Sequence, residues 1–288
     1  MEISGKKIAE LMQKELRKEV VKLKKKKKNL QLTTFLIGQS TDQLSFVKIK
    51  AKVAKELGIS FQLIHLKEIP LFEEFMHKLK SASQSDQVTG IIIQQPLPAQ
   101  LSTESIYNYI PLEKEIEGHK YKSPFFSPIG LAVMTILKNI YIKGRSGSDV
   151  FFNPKKDRLL FKKIFHSKKV VLIGRGITGG APVGHTLTEF KVNYIAINSK
   201  TPEPETYLKE ADVIISCVGK KVIFPEMLKP QVVLINVGLR REKNRLLGDY
   251  DEKEIKDIAS FYTPTPGGIG PIDVLYLYNN LIEAAKLQ

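Results

Sequence analysis

Residues able to do chemistry gather in a few short stretches of this chain. Gly174-Arg-Gly-Ile-Thr-Gly-Gly180 follows the apolar run Lys169–Ile173 and precedes a helical pattern. It contains G-x-G-x-x-G at 174, 176 and 179 in the strand–turn–helix context that the motif requires. Glycines let backbone amides approach a pyrophosphate, and a helix N-terminus favours its charge. One strand later, where an acid would hold the ribose of NAD, the chain reads Asn198-Ser-Lys-Thr201 and has none. Arg175, Ser199 and Lys200 can instead surround an extra phosphate, which favours NADP over NAD. A polar strand exit would look the same at Ser199 and Lys200. The other stretches are Phe46-Val-Lys-Ile-Lys50, Gly90-Ile-Ile-Ile-Gln-Gln-Pro-Leu-Pro98, Glu115-Ile-Glu-Gly118 and Thr263-Pro-Thr-Pro-Gly-Gly-Ile-Gly-Pro271. They offer an amine, an amide, carboxylates and a glycine-rich loop. Residue type alone does not separate Lys50 from Lys48 or Lys52.

The elements that carry these groups alternate. Ile8, Leu11, Met12, Leu16, Val20 and Leu23 make one helical stripe, ending in the basic run Lys24–Lys28 that suits a solvated helix C-terminus. A strand over Leu32–Ile37, a helix over 43–57 closed by Gly58, a strand over Ser60–Leu66, a helix over 71–83 and a strand at Gly90–Gln94 follow. Strands are expected again at Lys169–Ile173, Val192–Ile197, Val213–Val218 and Val232–Val237, with a helix after Pro182 and a last one over Val274–Gln288. Such alternation specifies parallel sheets with crossovers. The expected fold is α/β, with two domains flanking a cleft. Residues 1–122 plus 272–288 form one domain, and 123–271 form a Rossmann-type parallel-sheet domain. The basic stretch Lys143–Lys168, Gly/Ser-containing near Gly144–Ser148, reads as a linker or insertion.

Composition narrows the classes. The chain has 288 residues, 45 Lys plus Arg against 30 Asp plus Glu, one Cys and no Trp. A hydrophobic fraction of 42% with 26% charged residues is globular and excludes wholesale disorder. Lone Cys217 excludes an intramolecular disulfide framework and a Cys-cluster metal site, and no resident metal is expected. No stretch approaches the ~20 apolar residues of a membrane span, and the N-terminal residues lack the apolar run of a signal peptide. Cytoplasmic location follows as the expectation. The net charge of +15 suits nucleic acid, a membrane surface or small polyanions, although single patches decide binding and totals do not.

Taken in order, these stretches resemble the bifunctional methylenetetrahydrofolate dehydrogenase/cyclohydrolase family. Thr263–Pro271 is close to its T-P-V-P-G-G-V-G-P and Gly90–Pro98 to its G-I-L-V-Q-L-P-L-P. The resemblance covers nearly the whole chain outside 143–168. It implies oxidation of 5,10-methylenetetrahydrofolate with NADP, then hydrolysis of the methenyl product to 10-formyltetrahydrofolate, a one-carbon donor for purine biosynthesis. It places the family's proton-handling lysine on Lys50, an acid/base group usable near neutrality when half-buried beside a cationic pterin. Gln94 falls on the glutamine that orients this lysine. Glu117 falls on an Asp that binds the pterin's amino face, where two N–H donors suit a carboxylate. Phe46, Gly267, Gly268 and Pro271 complete the implied substrate set. The implied cofactor set is Gly174, Arg175, Gly176, Thr178, Gly179, Ser199, Lys200, Val218, Gly219 and Gly238. A homodimer and polyglutamylated folates are further implications, with no nucleic acid and no membrane partner.

The chain departs from the pattern in places. Phe46 stands where the family has Tyr four residues before the lysine, Phe125-Phe-Ser-Pro-Ile-Gly130 lacks the family's Cys, and Glu117 is one methylene longer than Asp. Asp273 replaces a Thr and is expected to point away from the cofactor or to cap a helix. Hydride transfer depends mainly on position, whereas hydrolysis depends on a water network around the lysine. The expectation is retained oxidation with weakened hydrolysis. Competing readings are a shikimate dehydrogenase-type enzyme, a nucleic-acid-binding protein using Lys22–Lys28, and a folate-binding relative without turnover.

Overall fold

The structure, a computed structural model, describes residues 1–142, 147–243 and 245–288. It divides into two compact units: Met1–Met12 with Ile129–Asp273, and Gln13–Pro128 with Val274–Gln288. The division falls inside two helices, α1 (Gly5–Lys25) and α9 (Ile269–Leu287).

In the unit Gln13–Pro128 with Val274–Gln288, β1 (Gln31–Ile37), β2 (Ser60–Leu66) and β3 (Gly90–Ile93) form a parallel sheet in the order β2-β1-β3. Every β3 residue and all but the first of β1 are buried, which is why both read as continuous apolar runs. Phe35, Ile37, Ile91 and Ile93 pack against Phe75 and Leu79 of α3 (Phe72–Gln84). The crossover α2 (Thr41–Leu57) begins at Ser40, whose side chain accepts from Gln43 N. It ends at left-handed Gly58, φ 74°, the conformation glycine adopts without a Cβ penalty.

The other unit has a five-stranded sheet in the order β10-β7-β6-β4-β5, every pairing parallel. Its strands are β4 (Val170–Ile173), β5 (Ile195–Ile197), β6 (Val213–Ser216), β7 (Val233–Asn236) and β10 (Phe261–Tyr262). β4, β6 and β7 are buried at every residue, as helices on both faces of a doubly wound sheet require. The helices α4 (Pro128–Tyr141), α5 (Pro154–Phe165), α6 (Gly180–Glu189), α7 (Pro204–Glu210) and α8 (Glu252–Ile255), with the hairpin β8 (Arg240–Glu242) and β9 (Arg245–Leu247), complete the elements. Residues 1–12, expected with the first half, group here because Ile3 N donates to Tyr262 O and Lys6 N to Gly267 O, with Glu2 in an isolated parallel bridge to Tyr262 of β10.

Three local expectations need correction. Residues 143–146 of the expected linker lie outside the described residues, but the part from Val150 onward includes a helix and sends side chains into the core. Asn153 caps α5 by accepting from Lys155 N and Lys156 N, while Phe161 and Phe165 are buried. Phe152 meets Phe161 and Phe190 edge-on at 4.9 and 4.6 Å. Buried Asp157 takes the ammonium of buried Lys138 at 2.7 Å. Next, α6 begins at Gly180, so Pro182 sits in its first turn, where a missing N–H costs nothing. Finally, α9 begins at Ile269 and carries Pro271 in its first turn, which places Asp273 inside the helix and not at its cap.

Candidate active site

Lys50 and Phe46 stand one turn apart on α2, so they share a face. Lys50 is half-buried, and its Nζ donates to Oε1 of Gln94 at 3.0 Å. The neighbouring Lys48 is exposed, and Lys52 is exposed with Glu56 at 3.9 Å, so environment now separates three lysines that residue type left equivalent. Gln94 follows β3 and is buried. Its backbone N–H bonds Phe35 O, and its Nε2 donates to Gln95 O at 2.9 Å. The amide is thereby oriented with its oxygen to the ammonium and its second N–H unspent by that bond. Tyr278 of α9, fully buried, donates to Lys50 O at 2.6 Å and clamps the helix where the lysine leaves it.

Glu117 sits in a loop built by its neighbour. The buried carboxylate of Glu115 accepts from the backbone N–H of Glu117 at 2.9 Å, His119 at 2.9 Å and Lys120 at 3.4 Å. Burial pushes the Glu115 carboxyl up. Asn280 of α9 donates to Ile116 O and Phe126 O, at 2.8 and 2.9 Å. Gly118 is left-handed, φ 76°, with Phe125 O only 2.7 Å from where a Cβ would stand, so the turn admits no side chain. Burial opposes ionisation of Glu117, but the polar contact with His119 and the nearby charges of Lys50 and His119 outweigh it and hold the carboxyl below its ordinary value. The Nε2 of His119 lies 3.7 Å from Oε2 of Glu117, and its ring stacks on Tyr107 at 4.4 Å and 27°. The Tyr107 hydroxyl receives Gln95 Nε2 at 3.0 Å. Lys50, Gln94, Gln95, Tyr107, His119 and Glu117 thus form one polar group.

The glycine-rich turn joins β4 to α6. Gly174 has φ 95°, and a Cβ there would stand 2.9 Å from Cys217 O, while one at Gly180 would run into Gly174 O. Packing therefore requires both. At Gly176 a Cβ would meet nothing within 4 Å, so packing leaves that glycine unexplained. Gly179 precedes α6 with no side chain capping the helix. An open glycine backbone before an uncapped helix start fits a phosphate. Arg175 donates to Ala196 O at 2.8 Å, which fixes its guanidinium beside the end of β5. There Asn198–Thr201 is a tight turn, with Asn198 N bonded to Thr201 Oγ1 and Lys200 N to Asn198 Oδ1, leaving Ser199 and Lys200 exposed. Thr178 is exposed on the same turn as Gly176.

Val218 and Gly219 follow β6, and Gly238 follows β7. β6 is the other neighbour of β4, so the loops after β4 and β6 open at the point where strand order reverses, the usual ligand crevice of such sheets. A buried carboxylate organises them: Asp249 accepts from Ser216 Oγ at 2.6 Å, Val218 N at 2.8 Å and Gly219 N at 2.9 Å. A Cβ at Gly238 would run into that carboxylate. The Thr263–Pro271 segment is anchored in the same unit. Asn236 Nδ2 donates to Thr265 Oγ1 at 2.9 Å, Tyr250 Oη to Thr263 O at 2.6 Å, and Lys6 N to Gly267 O at 3.0 Å. Gly267, φ 110°, Gly268 and Pro271 belong to this stretch.

Sequence reasoning missed Glu115, Tyr107, His119, Tyr278 and Asp249. Glu115 stood in a quoted motif, two residues from Glu117, and its local spacing was the available signal. His119 lay just past the same motif, whereas Tyr278 and Asp249 bond across long separations that no periodicity marks.

The sequence matches two family profiles: "Tetrahydrofolate dehydrogenase/cyclohydrolase, catalytic domain" over residues 3–117, and "Tetrahydrofolate dehydrogenase/cyclohydrolase, NAD(P)-binding domain" over 160–288. It is 32% identical to the bifunctional protein FolD of Exiguobacterium sibiricum over 290 residues, covering 99% of both chains. It is 31% identical to that of Staphylococcus aureus, covering 99% of this chain and 96% of the relative. The fold superposes on the bifunctional FolD of Campylobacter jejuni with a TM-score of 0.87 at 26% identity, over 100% and 99% of the two chains. It superposes on the 5,10-methylenetetrahydrofolate dehydrogenase of the silkworm with a TM-score of 0.84 at 25% identity, over 100% and 99%. The shikimate dehydrogenase-type alternative is not favoured beside these matches. With both halves of the sequence matched in order, the chain belongs to the tetrahydrofolate dehydrogenase/cyclohydrolase family.

Proposed function

We propose that this enzyme oxidises 5,10-methylenetetrahydrofolate with NADP and hydrolyses the methenyl product to 10-formyltetrahydrofolate, with hydrolysis the weaker activity. The observation that carries the reading is the 3.0 Å bond from Lys50 to Gln94 on the face that also presents Phe46. Phe46 offers its half-exposed ring to the pterin or its aryl neighbour. Glu117 accepts the pterin's amino-face donors, aided by a carboxyl held in its ionised form. Gln94 orients Lys50 and keeps an N–H for the substrate.

In hydrolysis, water adds to the methenyl carbon and gives up both its protons as the carbon–nitrogen bond to the ring breaks. One passes to solvent, discharging the methenyl cation, and the other ends on the departing ring nitrogen. Lys50 is the group placed to carry that proton, and Phe46 lacks the hydroxyl that would help order the water. For oxidation the bound dinucleotide supplies the two-electron acceptor. The chain's part is position. Gly174, Gly176, Thr178 and Gly179 would hold its pyrophosphate, Arg175, Ser199 and Lys200 its extra phosphate, and Val218, Gly219 and Gly238 its far end. Gly267, Gly268 and Pro271 supply close backbone approach. A cytoplasmic homodimer acting on polyglutamylated folate, in the supply of purine synthesis, completes the proposal on family resemblance.

Purified protein given methylenetetrahydrofolate with NADP and NAD in parallel tests it by the absorbance of the methenyl product. Formation with NADP, faster than with NAD and faster than its subsequent decay, is expected. Full hydrolysis beside weak oxidation overturns the ranking, and no methenyl product overturns the reading.

A further inference from the structure

We infer that His119 is a positioning residue for Glu117, holding that carboxylate for the substrate while the imidazole carries a proton and loosening it when the proton leaves. The inference rests on the reading of Glu117 as the pterin's acceptor. The backbone of Glu117 is fixed from three sides: its N–H by Glu115, the preceding carbonyl by Asn280, and the following residue by the left-handed Gly118. Its carboxylate is not fixed in this way. It reaches one bond further than the Asp of the family pattern, and no hydrogen bond from the described residues reaches it within ordinary distance. The Nε2 of His119 lies 3.7 Å from Oε2, with the Lys50 ammonium as a second cation acting on the carboxylate.

The imidazole is held on both sides. Its ring stacks on Tyr107, whose hydroxyl is taken by Gln95, and its backbone N–H bonds Glu115. The charges around it are unequal. From its own loop it faces the carboxylates of Glu117 and Glu115, from the 3₁₀ turn Glu104–Tyr109 the neutral Tyr107 phenol, and from α2 the ammonium of Lys50, which acts on Glu117. The adjacent Lys120 directs its ammonium to Ile110 O at 2.6 Å. Two carboxylates against a stacked neutral ring favour the imidazolium. Burial alone would lower the His119 value, but the Glu117 contact and the charges of both carboxylates raise it above the ordinary 6.5. The protonated form is therefore complete below 6.5 and is lost as pH climbs through the raised value.

The test is the KM for methylenetetrahydrofolate between pH 5.5 and 9 in wild type, His119→Gln and Glu117→Gln, with the KM for NADP and kcat measured alongside. In wild type the folate KM is expected to rise roughly threefold to fivefold as pH climbs past the imidazole titration, the size of a part-exposed ion pair, with NADP KM flat. His119→Gln is expected to flatten the folate curve at its high-pH level with little change in kcat, an outcome that lost packing alone would not give. A folate KM curve in His119→Gln that keeps the wild-type pH dependence overturns the inference. Glu117→Gln separates the two readings. A raised folate KM there keeps Glu117 as acceptor whatever His119 does, and an unchanged KM removes Glu117 itself. Histidine NMR of the intact protein gives a readout besides activity, the His119 signal being identified by its loss in His119→Gln. Titration above 6.5 that falls in Glu117→Gln is expected, and titration at or below 6.5 overturns the inference.

Discussion

Replacing Asp249 tests whether a buried carboxylate shapes the cofactor turn. In Asp249→Ala the Ser216 hydroxyl and the Val218 and Gly219 amides lose their acceptor together. Ser216 is fully buried, so no water reaches its hydroxyl without opening the core between β6 and β7, at about 1–3 kcal/mol. Val218 is 36% exposed and Gly219 half-buried, so solvent can recover part of their two bonds. Each bond to an ionised acceptor is worth about 1.5–3 kcal/mol before that recovery. A net loss of about 3–4 kcal/mol follows, which is a Tm lowered by roughly 10 °C for a unit of this size. Asp249→Asn keeps the shape but can place an NH2 against the amide donors, and about 1–3 kcal/mol is expected. Because the amides of 218 and 219 lead the loop after β6, NADP affinity should fall at least about tenfold in the Asn variant, or roughly 1.4 kcal/mol. Thermal unfolding by circular dichroism and NADP titration by calorimetry are the assays. An Asn variant with wild-type Tm and wild-type NADP affinity would refute the reasoning.

Lys50→Met should cost at least about a hundredfold in hydrolysis of the methenyl compound, the usual worth of a positioned acid/base. Unchanged turnover removes Lys50 from the proton path. Phe46→Tyr should raise hydrolysis relative to oxidation, read as the ratio of methenyl decay to methenyl formation; an unaltered ratio would show that the missing hydroxyl limits nothing. Asp157→Ala should destabilise by about 2–4 kcal/mol, because the buried Lys138 ammonium loses its nearest carboxylate while keeping Asp149 at 3.3 Å and Phe151 O at 2.6 Å. Lys138→Met on top should recover part of the loss. Equal melting of wild type and Asp157→Ala would return that segment to the status of a linker. On the acid side, Glu117 sits below its ordinary 4.5, so its share of folate binding is complete at neutral pH and is lost only as pH falls below that value. A folate KM that already rises between pH 6 and 5 would contradict this.

Strands β3, β4, β6 and β7 were legible because burial at every residue leaves nearly continuous apolar runs, and β2 because its β-branched and aromatic residues lie between turn signals. β1 was expected at 32–37 and spans Gln31–Ile37, and Ser60–Leu66 carries the bounds of β2. The glycine turn was legible from the 174, 176 and 179 spacing, of which packing explains Gly174 but not Gly176, while Gly180, which packing also requires, lies outside that spacing. α5 was not, because nine of its residues are half-exposed or exposed and mask two buried phenylalanines and the buried Asp157. Nor was the shortness of β5: Val192 is buried in a turn before the strand, and an apolar run cannot tell those two forms of burial apart. Around Lys50 the motifs located the lysine and its amide, while the tyrosine and asparagine that brace the region arrive from α9, more than 160 residues further along the chain. Long-range hydrogen bonds leave no period in a sequence.

That bracing has a consequence for synthesis. A ribosome extends the chain in one direction, and by Asp273 it has made everything in the unit that holds the glycine turn. The unit holding Lys50 is then still lacking Val274–Gln288, with Tyr278 absent from the Lys50 carbonyl and Asn280 from the Glu117 loop. A message cut short there would release a fragment able to complete one unit but not the other. Residues 274–288, made after the rest of both units, supply the groups that brace the first chemistry-bearing helix and the Glu117 loop.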